Sequence, residues 1–272
     1  MSQAPGELEI RQLTDPAEHR AAEALFADLW RSGPAAPPVS ADLMRALAFV
    51  DAYVAGVFLG GTGTDALVGA SVGFLGRHPG GSGAPYLHSH ITGVAPSARG
   101  RRVGYALKQD QREWALRRGI TSINWTFDPL VRRNAYFNLT LLGARPTRYL
   151  VDFYGEMADS VNAGQGSDRL LVEWRLDTDQ TPAEPAVGPL VEAGRVLLDV
   201  AADGGPVRSE IDADGPVLCR VPEDIETLRG TDPALARAWR AALRDTLGTA
   251  MAAGHRVRGI TRSGWYLMEQ QP

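Results

Sequence analysis

Apolar and polar residues alternate over Leu8–Leu13, which predicts a strand. From Ala17 to Trp30 the apolar positions recur at helical spacing, and Thr14-Asp15-Pro16 supplies a cap and a proline suited to a first turn. Gly33–Pro38 breaks that pattern, and Ser40 can cap a second helix running to Phe49. Ala52–Leu59 and Ala66–Leu75 are β-rich runs around a glycine turn, Gly60–Asp65, and predict a hairpin. His78–Ala84 reads as a loop, Tyr86–Val94 as a strand, and Val103–Arg118 as a helix stopped by Gly119. Ile120–Phe127 predicts a strand, Arg132–Leu142 a helix ended by Gly143, and Arg148–Tyr154 and Leu170–Leu176 two further strands. Strands mixed with helices through residue 177 indicate an α/β layer domain.

Beyond residue 177 the texture changes. Thr178–Gly194 is rich in Pro, Ala, Glu and Gly and reads as a linker. Short strands at Arg195–Val200 and Pro216–Val221 follow, then helices over Glu223–Arg229 and Pro233–Ala253, then a strand pair at His255–Thr261 and Trp265–Met268. The expected division is residues 1–177 and a smaller C-terminal α+β extension, 178–272. That extension either packs on the first domain or forms an oligomer interface, as in a homodimer.

Composition narrows the function classes. Hydrophobic residues make up 44% of the 272 positions and charged residues 22%, as in soluble globular proteins. A net charge of −4 argues against a general nucleic-acid binder. Cys219 is the only cysteine, so it can form no internal disulfide and offers no metal-ligand spacing. The start lacks a signal-peptide pattern, and no uncharged apolar run reaches the ~20 residues of a membrane helix. The expectation is a cytoplasmic protein with no metal, no membrane and no nucleic-acid partner.

The most informative stretch is Val94–Leu107. A strand enters a basic, glycine-containing turn that opens an amphipathic helix. The first amides of a helix have no intrahelical partner, and the macrodipole is positive there. Arg99, Arg101 and Arg102 add formal charge to the same place, so a phosphate or pyrophosphate is the natural guest.

Arg99-Gly100-Arg101-Arg102-Val103-Gly104 resembles the acyl-CoA-binding motif of the GNAT superfamily of N-acetyltransferases, Q/R-x-x-G-x-G/A, which follows that family's fourth strand. The element order on both sides is similar too, and Asn134–Ala144 is similar to the family's helix ending in Leu-Gly-aromatic. The likeness covers roughly the first 155 to 175 residues. The stretch Trp125–Tyr136 further resembles a poorly characterised predicted-acetyltransferase branch. The resemblance implies a mixed α/β fold with a splayed sheet, and acyl-CoA as cosubstrate. The pyrophosphate would lie on Arg99, Gly100, Arg101, Arg102, Val103 and Gly104, and the pantetheine beside Ile91–Val94, with Asn134 as a further contact. It implies N-acylation of a small amine, including amino acids, with an acetyl or succinyl donor, by direct attack on the thioester. Three positions depart from the pattern, the first being Ala144 in place of the aromatic. Arg102 stands where the family has its first glycine, and Leu139 where many members place a tyrosine acid.

His88 and His90 lie two apart on one strand face and could accept the amine's proton. Asp128, at the carboxyl end of its strand, could bind a substrate ammonium, act as a base through water, or simply cap a turn. Tyr136, Tyr149 and Tyr154 are candidates to replace the missing acid. Arg132 and Arg133, cations at a helix start, suit a nearby anion such as a donor or acceptor carboxylate. A non-catalytic acyl-CoA-binding regulatory module is the alternative reading.

Overall fold

The computed structural model describes residues 8–32, 36–77, 83–155, 164–178, 183–211 and 214–270. Compactness divides the chain into 1–125 with 175–177, and 126–174 with 178–272. That division falls at Trp125/Thr126, whereas the change of composition lies at 177/178.

The first unit begins with β1 (Leu8–Gln12), α1 (Pro16–Trp30) and α2 (Ala41–Phe49). Asp15 caps α1 in a reciprocal box: its carboxylate accepts from the Ala17 amide at 2.7 Å, while Glu18 accepts from the Thr14 and Asp15 amides. Next come β2 (Tyr53–Leu59), β3 (Leu67–Gly76), β4 (Tyr86–Val94), α3 (Val103–Leu116) and β5 (Ser122–Phe127). The strands stand in the order β1-β2-β3-β4-β5, antiparallel as far as β4 and parallel between β4 and β5.

Both faces of this sheet are covered, which explains why β2 reads as an unbroken apolar run. Phe26, Met44, Val54, Phe58 and Val72 form the core on the α1–α2 side. Val57, Ala98, Val103 and Leu107 form the core on the α3 side. Gly93 lets α1 pack closely on the first side: a Cβ there would come 2.6 Å from Leu29 Cδ1 and 3.2 Å from the Phe26 ring, so Leu29 would have to move.

The second unit contains α4 (Arg132–Ala135), continued by a π-helical turn over Tyr136–Leu141, and β6 (Arg145–Leu150) antiparallel to β7 (Arg169–Arg175). Then follow α5 (Gly188–Glu192), β8 (Val196–Val200), β9 (Pro206–Arg208), β10 (Val217–Arg220), α6 (Ile225–Thr231) and α7 (Pro233–Leu243). A second π turn, Arg244–Gly248, leads into α8 (Thr249–Ala252), β11 (His255–Ile260) and β12 (Trp265–Gln270). Its sheet runs β11-β12-β10-β8-β9, with β8 and β10 parallel.

The expected mixed α/β architecture is present, with local corrections. The strand expected at Arg148–Tyr154 lies at Arg145–Leu150, and residues 151–154 turn, with Asp152 in the left-handed region at φ 47°. The long helix expected over Pro233–Ala253 is broken by its π turn. Residues 188–192 of the expected linker are helical, and 179–182 lie outside the described residues, as do 78–82 of the expected loop and 33–35 of the helix breaker.

Candidate active site

The site is built where β4 and β5 part. Their parallel pairing is confined to Leu87↔Ile123 and His88↔Asn124. One residue later β4 carries a bulge: Ser89 pairs with Gly73 and Ile91 with Val72, so His90 is the extra residue. A bulge turns the strand and re-aims its side chains. Ser89 thus faces α3, where it meets Lys108, while Ile91 joins the core on the α1–α2 side. Beyond the last pair, Ser89–Val94 of β4 has no strand partner on the β5 side among the described residues.

Beyond Val94 the chain makes a short 3₁₀ turn, Pro96–Ala98, and enters α3. Gly100 (φ 80°) and Arg102 (φ 59°) both take the left-handed conformation that folds the turn back toward the helix start. Arg102 is the N-cap and lends no capping side chain to the first amides. Arg99, Arg101 and Arg102 are exposed, and the Arg102 guanidinium lies 4.8 Å from the Tyr105 ring centre. A Cβ on Gly104 would have only Val94 within reach, at 3.9 Å, so the space over these amides is open. Helix amides, a positive dipole end, three cations and open space fit a pyrophosphate. Arg102 holds this left-handed conformation without being glycine, and the turn still forms.

Three neutral groups surround a buried lysine at the vertex. Lys108 Nζ donates to Ser89 Oγ at 2.8 Å and to Gln111 Oε1 at 3.2 Å, and lies 4.0 Å from the Trp125 ring centre. Gln111 donates onward to Ser71 Oγ at 2.9 Å, and Ser71 meets Thr92 Oγ1 at 2.7 Å. Burial pushes Lys108 down to about 7, because no carboxylate offsets the cost of a desolvated ammonium. The sequence reading missed this residue. Its signal was a lysine at an apolar position of α3, among Val103, Leu107, Gln111 and Trp114.

His88 and His90 lie together against Phe74, with ring centres 5.2 and 5.7 Å from it. Burial, then the neighbouring His90 and Lys108, lowers His88 to about 4, so its imidazole is neutral at physiological pH. Across from it, the buried Asn124 Oδ1 has no hydrogen-bond partner. A buried acceptor without a donor asks for a ligand or water.

No family profile and no curated protein matches the sequence. Solved structures do. A candidate acetyltransferase from Acinetobacter baylyi ADP1 aligns over 65% of this chain and 96% of its own, at 14% identity and TM-score 0.50. The likeness is one of fold: this chain shares the fold of that candidate acetyltransferase. A candidate acetyltransferase from Salmonella typhimurium, solved with acetyl-CoA, covers 64% of this chain and 97% of its own (17% identity, TM-score 0.49). An N-acetyltransferase from Staphylococcus aureus Mu50 covers 63% and 99% (16% identity, TM-score 0.49).

The remaining candidates lie in the second unit. Asp128 is buried and bound by arginines. Arg240 reaches both its oxygens at 2.7 and 2.6 Å, Arg229 bonds Oδ2, Arg169 stands 3.9 Å away, and the Leu130 amide donates to Oδ1. Burial alone would raise the carboxyl, but Arg240, then Arg229 and Arg169, outweigh it and hold it far below the carboxylate range. Asp128 is therefore a fixed structural anion, not the proton acceptor the sequence allowed. It does also cap the turn, through Leu130.

Tyr136 donates to Glu184 at 3.1 Å, Tyr149 to the buried Asp168 at 2.8 Å, and Tyr154 meets Thr126 Oγ1 at 3.3 Å. Leu139 is buried in the π turn. Arg132 and Arg133 pair with Glu223 and Glu226, so their charge answers acidic side chains of α6's approach and first turn. Both line a cavity of about 440 Å³ whose other charged walls include Asp224 and Arg262. Its cations and carboxylates balance. Asn134 is exposed on α4.

Proposed function

We propose that this chain is an acyl-CoA-dependent N-acyltransferase acting on a small amine. The observation that carries the reading is the parting of β4 from β5 just before an anion-binding turn. Acyl-CoA would place its pyrophosphate on the amides from Arg99 to Gly104, supported by Arg99, Arg101 and Arg102. Its pantetheine would extend along the open edge of β4 past Val94 and Ile91, bringing the thioester toward the bulge at His90.

The unpartnered Asn124 carbonyl and the neutral His88 supply acceptors for the amine at the vertex. The amine would attack the thioester directly, and positioning two reactants in one cleft is itself worth several orders of magnitude in rate. A thiolate leaves without a dedicated acid, because its conjugate thiol has a pKa near ~8.5. This accords with a leucine at position 139.

Within this reading the donor is acetyl or succinyl, and an amino acid is an acceptor to try first. The pairing of Arg132 and Arg133 with glutamates weakens the motive for a carboxylate there. Free-thiol release from acetyl-CoA and succinyl-CoA across L- and D-amino acids, polyamines and aminoglycosides tests the reading. Release with one amine class supports it and fixes the donor. Calorimetric CoA binding with no release from any amine would favour a binding module, and silence in both would remove the reading.

A further inference from the structure

Lys108 is the one buried cation described in the first unit whose hydrogen-bond partners are all neutral, and it stands at the vertex where β4 and β5 separate. Ser89 is the first residue of β4 beyond the last pair, and Trp125 the first of β5 beyond it. Lys108 touches both, at 2.8 Å from Ser89 Oγ and 4.0 Å from the Trp125 ring centre. A lysine placed only for packing would bury its stem and leave its ammonium in water. This one is only 5% exposed.

We propose that Ser89 and Lys108 form the proton-accepting pair of the transfer, with the Ser89 hydroxyl touching the amine and Lys108 acting through it. The inference rests on the acyltransferase reading above and names the base that reading lacks. Ser89 is then the catalytic residue and Lys108 its positioning partner and proton sink. When Lys108 loses its proton the hydrogen bond to Ser89 reverses, and the Ser89 hydroxyl donates to the Nζ lone pair.

An incoming ammonium gives a proton to Ser89 Oγ as the Ser89 proton passes to Lys108 Nζ. The neutral amine then forms the C–N bond to the thioester carbonyl carbon. The C–S bond breaks, the thiolate takes the second nitrogen proton and leaves as the CoA thiol, and Lys108 sheds its proton to solvent. Protonated Lys108 has three acceptors waiting in Ser89, Gln111 and the Trp125 face, so both charge states are housed.

The groups facing this pair are few. On β4 they are His88 and His90, with His88 lowered partly by Lys108 itself. On β2 Tyr53 donates to Asp110 of α3 at 2.7 Å, and burial followed by Asp110 raises that phenol out of the working range. Arg112 of α3 is turned to the Leu176 carbonyl. On β3 and β5 the neighbours Ser71, Asn124 and Trp125 do not titrate. A base with a pKa near 7 is well matched to proton transfer at neutral pH, and His88 at about 4 is not.

The test is the pH profile of kcat/KM by thiol release for wild type, Lys108→Met, Lys108→Arg, Ser89→Ala and Ser89→Thr, with acyl-CoA affinity measured by calorimetry. Wild type should show a rising limb with a midpoint near 7. Both Lys108 variants and Ser89→Ala should lose the limb and fall about 100-fold or more with acyl-CoA affinity unchanged, while Ser89→Thr keeps most activity. A Lys108→Met enzyme within about threefold of wild type, with the same limb, overturns the proposal.

If the Lys108 variants do not fold, the Ser89 pair decides, together with carbon NMR titration of Lys108 Cε in the wild type. A midpoint near 7 supports the inference and one above 9 overturns it. Absence of acyl-CoA binding to wild type would instead remove the acyltransferase reading and the inference with it.

Discussion

Two buried charged groups, one in each compact unit, are housed in opposite ways. Lys108 in the first unit has a serine, a glutamine and an indole face around it, and no carboxylate among the described residues pairs with it. Asp128 in the second has Arg229 and Arg240 bonded to it and Arg169 nearby. Burial penalises both charges, but only the aspartate has opposite charge to repay it. The lysine is therefore moved into the range where protons exchange near neutral pH, and the aspartate is moved out of it. A buried charge that is over-compensated holds structure together, and one that is left to neutral partners can do chemistry.

The largest effect expected from this contrast is on folding. Asp128→Ala strands buried guanidiniums and should cost about 3–5 kcal/mol in denaturant unfolding. The wild-type contribution of Asp128 is fully present above its ordinary 3.8 and is lost as pH falls toward its lowered native value. An effect below about 1 kcal/mol would show that the arginines re-pair and would dissolve the comparison from one side.

Lys108 should behave in the reverse sense. Its native pKa lies below its ordinary 10.5, so the unfolded chain holds more protons between about 7 and 10.5. Stability should therefore rise with pH across that window and be lowest below it. Lys108→Met should flatten this slope and stabilise the fold at pH 7 by about 1–4 kcal/mol, as replacing buried ionic groups with apolar ones can. An unchanged slope would mean the ammonium is not desolvated as the geometry indicates.

The smallest effect belongs to the exposed pairs. Arg133→Ala breaks a contact with Glu226 at an exposed arginine and should change stability by under about 1 kcal/mol. A larger loss would mean that the α4–α6 ion pairs act as a network.

Local signals in the chain carry most of the fold. The Asp15-Pro16 cap, the Gly60–Asp65 turn and the strand–turn–helix at 86–116 are written in short-range patterns, and they appear where those patterns place them. The π turns do not show, because the extra residue per turn leaves the apolar spacing of Arg132–Leu142 and Pro233–Ala253 looking helical. The β6 register also escapes, since the apolar Val151, Phe153 and Tyr154 look like strand residues but lie exposed in the turn that follows β6.

The strand, turn and helix of the proposed anion site were legible in the sequence; the contacts inside the candidate site were not. Asp128 looks like a free strand-end carboxylate until Arg229 and Arg240 arrive from about a hundred residues away. His88 looks like a base until burial lowers it. Lys108, the chain's only lysine, stands at an apolar position of its helix, but it has no visible partner until the bulge at His90 swings Ser89 toward it. Each of these depends on contacts between residues distant in sequence, which periodicity does not encode.

The central claim, that the turn after β4 holds acyl-CoA, is tested most directly by titrating acetyl-CoA into wild type and Gly104→Ala in a calorimeter. Alanine at a helical position is favoured over glycine by about 1 kcal/mol, and only Val94 lies near the added methyl, so the variant should fold at least as well. The account predicts one site per chain in wild type and at least tenfold weaker binding in the variant, with equal or higher thermal stability. No binding to wild type, or equal affinity for the two, would contradict it.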